Sequence, residues 1–391
     1  MKFKRIFLIV LDSLGVGEAD DAYKFNDVGA NTFKHTKDSV EYDFDNLKSL
    51  GLYDLVYDTN YNEVGFFTKA NPISIGKDTL TGHLEIMGIE TKIPFKTFHE
   101  NGFPKDLIIE LENKTNRKVL GNISASGTEI IEVYGKEHIS TGGIIVYTSA
   151  DSVLQIAAHE EIISVNELYN ICKIAREITL KDEWKVGRVI ARPFIGEPGK
   201  FIRTENRKDY ALDPEGTTVL DNLIKNNYEV ISIGKIADIY NDRGISQSYK
   251  TKDNLEGINK ILDIIDYDFV GLCFANLNDF DSLYGHRRNK EGYATAIKEF
   301  DNYLPSILNN LNSDDLLIIT ADHGNDPTYS GTDHTREKVP VLIYSKLFEK
   351  NGKLEDLNTF ADIGATIADN FNVDLPVIGK SFLNYLKEEN K

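Results

Sequence analysis

Six side chains stand out by type and place. Asp322 and His323 sit together in Ala321-Asp322-His323-Gly324, and His334 follows in Thr332-Asp333-His334-Thr335. Asp281 and His286 bracket the stretch Asp281-Ser282-Leu283-Tyr284-Gly285-His286. Asp12 comes directly after the apolar run Ile6–Leu11. Three carboxylates and three imidazoles make a mixed oxygen and nitrogen donor set. Such a set suits zinc, manganese or iron better than calcium, which prefers oxygen alone. Six donors are too many for one open catalytic site and fit a pair of metals about 4 Å apart. Two divalent ions so placed hold a phosphoryl group and activate a nucleophile at the same time.

A nucleophile is available in Gly76-Lys77-Asp78-Thr79-Leu80-Thr81-Gly82-His83-Leu84-Glu85. Gly and Asp precede the threonines and an apolar-periodic stretch follows, so the segment reads as a loop entering a helix. A helix N-terminus offers free N–H groups and the positive end of its dipole to an anion. A Thr79 hydroxyl there, beside two metals, is placed to attack phosphorus. The GxxxxGK[ST] spacing of a Walker A loop is absent.

Each feature alone has a plainer explanation. Asp12-Ser13 and Thr79 read equally as helix caps. Asp322-His323 reads as a loop pair, and His286 beside Arg287-Arg288 as a solvated loop. The joint pattern favours a shared metal site: three of only eight histidines fall in it, each beyond a predicted strand.

Apolar runs rich in β-branched residues predict those strands at Ile6–Leu11, Val230–Ile233, Phe269–Ala275, Leu316–Thr320 and Val339–Tyr344. Continuous runs of this kind suit a parallel sheet covered on both faces. Helical patterns alternate with them at Thr218–Lys225, Asn254–Ile264, Gly292–Leu311 and Leu357–Asn370. The alternation predicts an open α/β sheet, in which ligands bind beyond the carboxyl ends of the strands. Asp12, Asp281 with His286, and Asp322 with His323 all fall there. From about residue 95 to 212 the rhythm breaks. That stretch opens on turn-rich His99-Glu100-Asn101-Gly102-Phe103-Pro104. It holds strand candidates of its own at Lys118–Ile123, Gly143–Thr148, Gly187–Ala191 and Lys200–Thr204, and a helix near Val165–Leu180. The expected organisation is a core domain over 1–94 and 213–391, interrupted by a smaller α+β domain over 95–212.

The chain's 391 residues fit two to three domains at about 150 residues each. Its net charge of −18 argues against a general nucleic-acid binder, which needs a basic footprint. Anionic substrates stay possible, because bound metals invert the local field. The two cysteines, Cys172 and Cys273, are far apart and outside any CxxC, which predicts buried thiols rather than a disulfide or a thiolate zinc site. Lys2, Lys4 and Arg5 precede the first apolar run, but the run is too short for a signal peptide and lacks a cleavage site. No run is long enough to span a membrane. The expectation is a cytoplasmic protein, and nothing points beyond a monomer.

The motifs together resemble the phosphopentomutase family of the alkaline-phosphatase superfamily. The resemblance rests on Asp12, Asp78-Thr79-x-Thr81-Gly82-His83, Asp281 with Tyr284-Gly285-His286-Arg287-Arg288, and Ala321-Asp322-His323-Gly324-Asn325-Asp326-Pro327 with His334. Gly187-Arg188-Val189-Ile190-Ala191-Arg192-Pro193-Phe194, Phe201-Ile202-Arg203-Thr204 and Ile233-Gly234-Lys235-Ile236 point to that branch. Leu80, Leu84 and Asn278 depart from the family pattern, and none is a ligand. The resemblance implies an alkaline-phosphatase-like core with a mostly parallel sheet flanked by helices, and an inserted cap. It implies interconversion of α-D-ribose 1-phosphate and D-ribose 5-phosphate, and of the 2-deoxy pair, through a phosphothreonine at Thr79 and a sugar bisphosphate. One Mn2+ would take Asp12, Asp322 and His323, and the other Asp281, His286 and His334. Glucose 1,6-bisphosphate or a similar primer would reload the enzyme. Cap residues Ser149, Asp151, Arg188 and Arg203, with Lys235 of the core, would bind the sugar phosphate. Arginine offers a bidentate fork to a phosphate, and Asp151 can accept from ribose hydroxyls. The same scaffold would also serve a metal-dependent phosphatase or phosphodiesterase. A cofactor-independent phosphoglycerate mutase normally uses a serine, unlike Asp78-Thr79-Leu80-Thr81.

Overall fold

The computed structural model describes residues 2–149 and 152–386. Its strands are β1 (Arg5–Leu11), β2 (Phe66–Ala70), β3 (Val119–Ser124), β4 (Ile144–Thr148), β5 (Val153–His159), β6 (Arg188–Ile195), β7 (Ile202–Arg203), β8 (Lys208–Ala211), β9 (Glu229–Ile233), β10 (Gln247–Tyr249), β11 (Gly271–Leu277), β12 (Asp315–Thr320), β13 (Val339–Tyr344) and β14 (Gly352–Lys353). The helices are α1 (Thr32–Lys37), α2 (Asp45–Ser49), α3 (Thr79–Ile86), α4 (Lys105–Thr115), α5 (Gly127–Thr141), α6 (Val165–Ile178), α7 (Val219–Lys225), α8 (Ile236–Ile239), α9 (Asn254–Ile265), α10 (Lys290–Asn310) and α11 (Ala361–Phe371).

The chain divides into two compact units, one over 1–92 and 214–391, the other over 93–213. The larger unit is built on an 8-stranded sheet ordered β10-β9-β11-β1-β12-β13-β2-β14. From β10 to β12 all neighbours run parallel. β13 is antiparallel to both β12 and β2, so the sheet is mixed rather than wholly parallel at that side. β1, β11 and β12 are buried along their whole length, as their unbroken apolar sequences require. The helices of this unit start at capped ends, with α7 packed on β9 and α9 on β11 and β9. Thr218 and Asp221 form a capping box on α7, and Asp253 and Asn289 cap α9 and α10.

Register decides where these strands end. Arg5 pairs with Gly271 and Asp315, Leu11 with Leu277, and Val10 with Thr320. Three adjacent parallel strands therefore stop level, and the residues that follow them emerge at one edge. At the opposite end Arg5 holds Asp315 through two bonds, Nε to Oδ1 at 2.8 Å and Nη2 to Oδ2 at 2.6 Å. Arg5 Nη1 also donates to the Ile265 and Tyr267 carbonyls. Both side chains are fully buried.

The smaller unit has a 6-stranded sheet with β3, β4, β5, β6 and β7 in sequence and β8 beside β6. β5 was not apparent from the sequence, because Gln155, Ala157, Ala158 and His159 dilute its apolar pattern. The expected strand over Lys200–Thr204 is only the short β7. α4 and α6 cover one core around Leu107, Leu168, Cys172 and Trp184, and α5 covers another around Ile130, Tyr147 and Phe194. Both cysteines are buried free thiols. No helix among the described residues is long and apolar enough to cross a membrane.

The Arg5–Asp315 pair generates a stability prediction. Asp315→Ala strands a buried guanidinium and is expected to lower stability by about 3–5 kcal/mol. The double variant Arg5→Met/Asp315→Leu should lose less, since no uncompensated charge remains. Urea denaturation of the three proteins reads the difference, and equal losses would remove the pair from this role.

Candidate metal centre

The level strand ends bring the six donors together in two groups. Asp12 follows β1 at once, and Asp322 and His323 follow β12. These three form one cluster, with ligand atoms all within 4.8 Å of one another. His323 Nε2 lies 3.6 Å from Asp12 Oδ1 and 3.3 Å from Asp322 Oδ2. Asp281, His286 and His334 form the second cluster on the same criterion. Asp281 Oδ2 is 3.2 Å from His286 Nε2, and its Oδ1 is 3.4 Å from His334 Nε2. The clusters adjoin: the His323 and His334 rings have centroids 4.0 Å apart.

Local conformation supplies each donor. Beyond β11 the chain makes a π-helical turn over Phe280–Gly285, closed by His286 N–H on the Asp281 carbonyl. That turn puts Asp281 and His286 on one side, a use of π geometry common at functional sites. His334 returns on a segment whose neighbour Thr335 bridges to Gly324.

The electrostatics of the donors are set by their burial and by one another. Burial pushes Asp12 up to about 7, and the charges of Asp322 and Asp281 add to it. Burial would raise Asp281 too, but His334 and His286 hold it well below the usual carboxylate range. Burial disfavours charge on His323, yet Asp322, Asp281 and Asp12 outweigh it and lift the imidazole to about 9. Three atoms aimed into the clusters, Asp12 Oδ1, Asp322 Oδ2 and His334 Nε2, are buried and take part in no hydrogen bond. Orphaned buried acceptors are costly. Carboxylate and imidazole lone pairs left open in this way fit divalent cations.

Residues 4–375 match the family model described as the metalloenzyme superfamily. The chain belongs to the metalloenzyme superfamily. Among solved structures this metalloenzyme is similar to the PH0037 protein of Pyrococcus horikoshii. Identity there is 15% and the TM-score 0.49, over 95% of this chain and 98% of that one. It is also similar to Leishmania mexicana phosphoglycerate mutase, solved at low cobalt concentration. That match has 10% identity and a TM-score of 0.48, over 97% of each chain.

Thr79 is the first residue of α3. Asp78 is the N-cap, accepting from Thr81 N at 3.1 Å and Thr81 Oγ1 at 2.6 Å. The cap therefore falls to Asp78, and the Thr79 hydroxyl lies 3.2 Å from His323 Nε2. α3 sits hard against the strand end: a Cβ on Gly82 would come within 1.9 Å of the Asp322 carbonyl oxygen. Only glycine allows that approach.

Of the remaining expected site residues, Lys235 stands near enough to the first cluster for its charge to act on Asp12. Lys235 is in the larger unit and contacts Asn278 Oδ1. Arg188, Arg203 and Ser149 belong to the smaller unit, with Arg188 Nη1 3.8 Å from Asp209 Oδ2. Asp151 lies outside the described residues.

Several groups that support the donors escaped sequence reasoning. Asn276 donates to Asp12 Oδ2 at 2.9 Å, Asn325 to Asp281 Oδ1 at 2.7 Å, and Ser13 N–H to Asp322 Oδ1 at 3.0 Å. Ser13 adopts φ 71°, an unusual conformation for a non-glycine residue that aims its N–H at Asp322. His83, already part of the Thr79 motif in the sequence, has Nδ1 2.9 Å from the Thr79 carbonyl and 3.2 Å from Asp322 Oδ2. Asn276 was legible in principle, as the one amide in an otherwise apolar strand.

Metal analysis by mass spectrometry tests the centre. Protein loaded with Mn2+ is expected to hold two ions per chain. Asp12→Asn and Asp281→Asn should each lose one, and a loss of none from either would refute the assignment. Chelation should lower stability by roughly 3 kcal/mol for each ion held at a hundredfold excess over Kd.

Proposed function

We propose that this metalloenzyme is a phosphopentomutase, a cytoplasmic monomer that interconverts α-D-ribose 1-phosphate and D-ribose 5-phosphate and the 2-deoxy pair. The observation that carries the reading is the Thr79 hydroxyl at the start of α3, 3.2 Å from His323 Nε2 and beside two acid–imidazole clusters. The pentose specificity draws on the motif resemblance, above all Arg188, Arg203 and Lys235.

Asp12, Asp322 and His323 would hold one Mn2+, and Asp281, His286 and His334 the other. Bound there, the cations supply charge neutralisation for the phosphoryl group and for the oxygens that attack and leave. Thr79 Oγ1 carries the phosphoryl group between sugar hydroxyls. In the first half of the cycle phospho-Thr79 gives it to the free hydroxyl of a pentose phosphate, making a bisphosphate. After the sugar reorients, Thr79 takes the other phosphoryl group, and the isomeric monophosphate leaves. The α3 N-terminus adds the positive end of its dipole to the transferred group. Asp78 keeps that end capped, which fixes the backbone under Thr79. Guanidinium forks at Arg188 and Arg203 and the Lys235 ammonium would hold the phosphate that is not moving. Ser149 and Asp151 would bind the ribose hydroxyls. An enzyme that loses its phosphoryl group needs a primer such as glucose 1,6-bisphosphate.

Phosphorus NMR decides the reaction. Ribose 5-phosphate, Mn2+ and a trace of glucose 1,6-bisphosphate are mixed with the protein, and samples are stripped of metal before each spectrum. Ribose 1-phosphate is expected to grow without inorganic phosphate. Inorganic phosphate alone would make the protein a phosphatase instead. Thr79→Ala should cut turnover by roughly three orders of magnitude or more.

A further inference from the structure

The chain reaches Thr79 through residues 72–78, and the backbone groups of that segment must be paired where it is buried. They are paired from two sides. Glu85, further along α3, accepts from Ile73 N at 3.1 Å and Ser74 N at 2.7 Å. Its Oε1 also accepts from Thr359 Oγ1 at 2.8 Å and Phe360 N at 3.1 Å. Arg336 takes the carbonyls. Its Nη1 donates to Ser74 O at 2.8 Å and Gly76 O at 2.6 Å, and its Nη2 to Pro72 O at 3.1 Å.

Arg336 is itself firmly seated, with 2% of its surface exposed. Nε donates to Asp21 Oδ1 at 2.8 Å, and the guanidinium carbon lies 4.8 Å from the Phe25 ring centroid. Its backbone N–H donates to Asp27 Oδ2, which also receives Lys77 Nζ at 2.9 Å. The hydrogen bonds of this side chain go to the loop and to Asp21, not to the six metal donors.

We propose that Arg336 is a positioning residue for Thr79: by binding three carbonyls of the 72–76 segment it sets where α3 begins, and so where the Thr79 hydroxyl stands. The proposal rests on Thr79 as nucleophile. A planar fork with several donors can serve three carbonyls at once, which a lysine ammonium on a single stem does not reproduce. A reacting group displaced by about 1 Å loses about a hundredfold in rate.

The test compares wild type, Arg336→Lys and Thr79→Ala, all loaded with Mn2+. The readouts are metal content, amide hydrogen exchange over residues 72–78, and kcat and KM for ribose 5-phosphate isomerisation. Arg336→Lys is expected to keep two ions and an unchanged KM, to exchange faster at residues 73–76, and to lose about 10- to 100-fold in kcat. A merely structural role would lower metal content and thermal stability together without separating kcat from KM. Arg336→Lys with wild-type kcat and exchange, beside an inactive Thr79→Ala, would overturn the positioning role alone. A fully active Thr79→Ala would overturn the nucleophile reading and this role with it. If Arg336→Lys does not fold, Asp21→Asn keeps the arginine and loosens its Nε anchor. A smaller kcat loss in the same direction is then expected, and an unchanged kcat would refute the proposal.

Discussion

Three carboxylates buried at one end of a sheet repel one another, and the larger unit is arranged around that repulsion. Asp12, Asp281 and Asp322 are all nearly inaccessible. Their burial removes the water that would screen them. The imidazoles of His286, His323 and His334 offset part of the charge, and divalent cations are the remaining counter-charge that the donor chemistry fits. A cluster of this kind does not stabilise a fold by itself. It is held because the rest of the unit leaves these side chains nowhere else to go.

That constraint explains features far from the donors. Level strand ends need a fixed register, since a slip of one residue would turn Asp12 to the other face of the sheet. The Arg5–Asp315 pair joins the same two strands, β1 and β12, at their opposite ends. Closer in, Asn276, Asn325 and the Ser13 N–H each satisfy one carboxylate oxygen and leave another facing the cluster. The positive φ of Ser13 is part of that arrangement, at a strain of order 1 kcal/mol. Gly82 lets α3 lie against the Asp322 backbone, which brings Thr79 into the same space.

Much of this could be read from the chain, and the exceptions share a cause. β1, β11 and β12 are legible because strands buried on both faces must be apolar throughout. β5 is as deeply buried as they are, but Gln155 and His159 find partners that only the folded smaller unit provides: Arg192 Nε for the first and the Gly196 carbonyl for the second. β2 is short and carries Thr68 and Lys69, so no pattern marks it, and it is fixed by antiparallel pairing with β13. The helix expected over Leu357–Asn370 begins only at Ala361, because Leu357 pairs instead with the β2 edge.

Residue types mark the six side chains able to bind metal and the Thr79 hydroxyl, and apolar runs mark the strands that the donors follow. Those properties belong to residue types and short spacings, which are local. The folded chain groups the donors as the motif resemblance implied, Asp12 with Asp322 and His323, and Asp281 with His286 and His334; what no motif carried was the set of groups that hold them in place. Tertiary structure decided that Asp78 rather than Thr79 caps α3, and that a guanidinium more than two hundred residues away in sequence grips the loop before it. Strand order, register and the hydrogen-bond partners of buried groups arise only when distant segments pack, so no local pattern carries them.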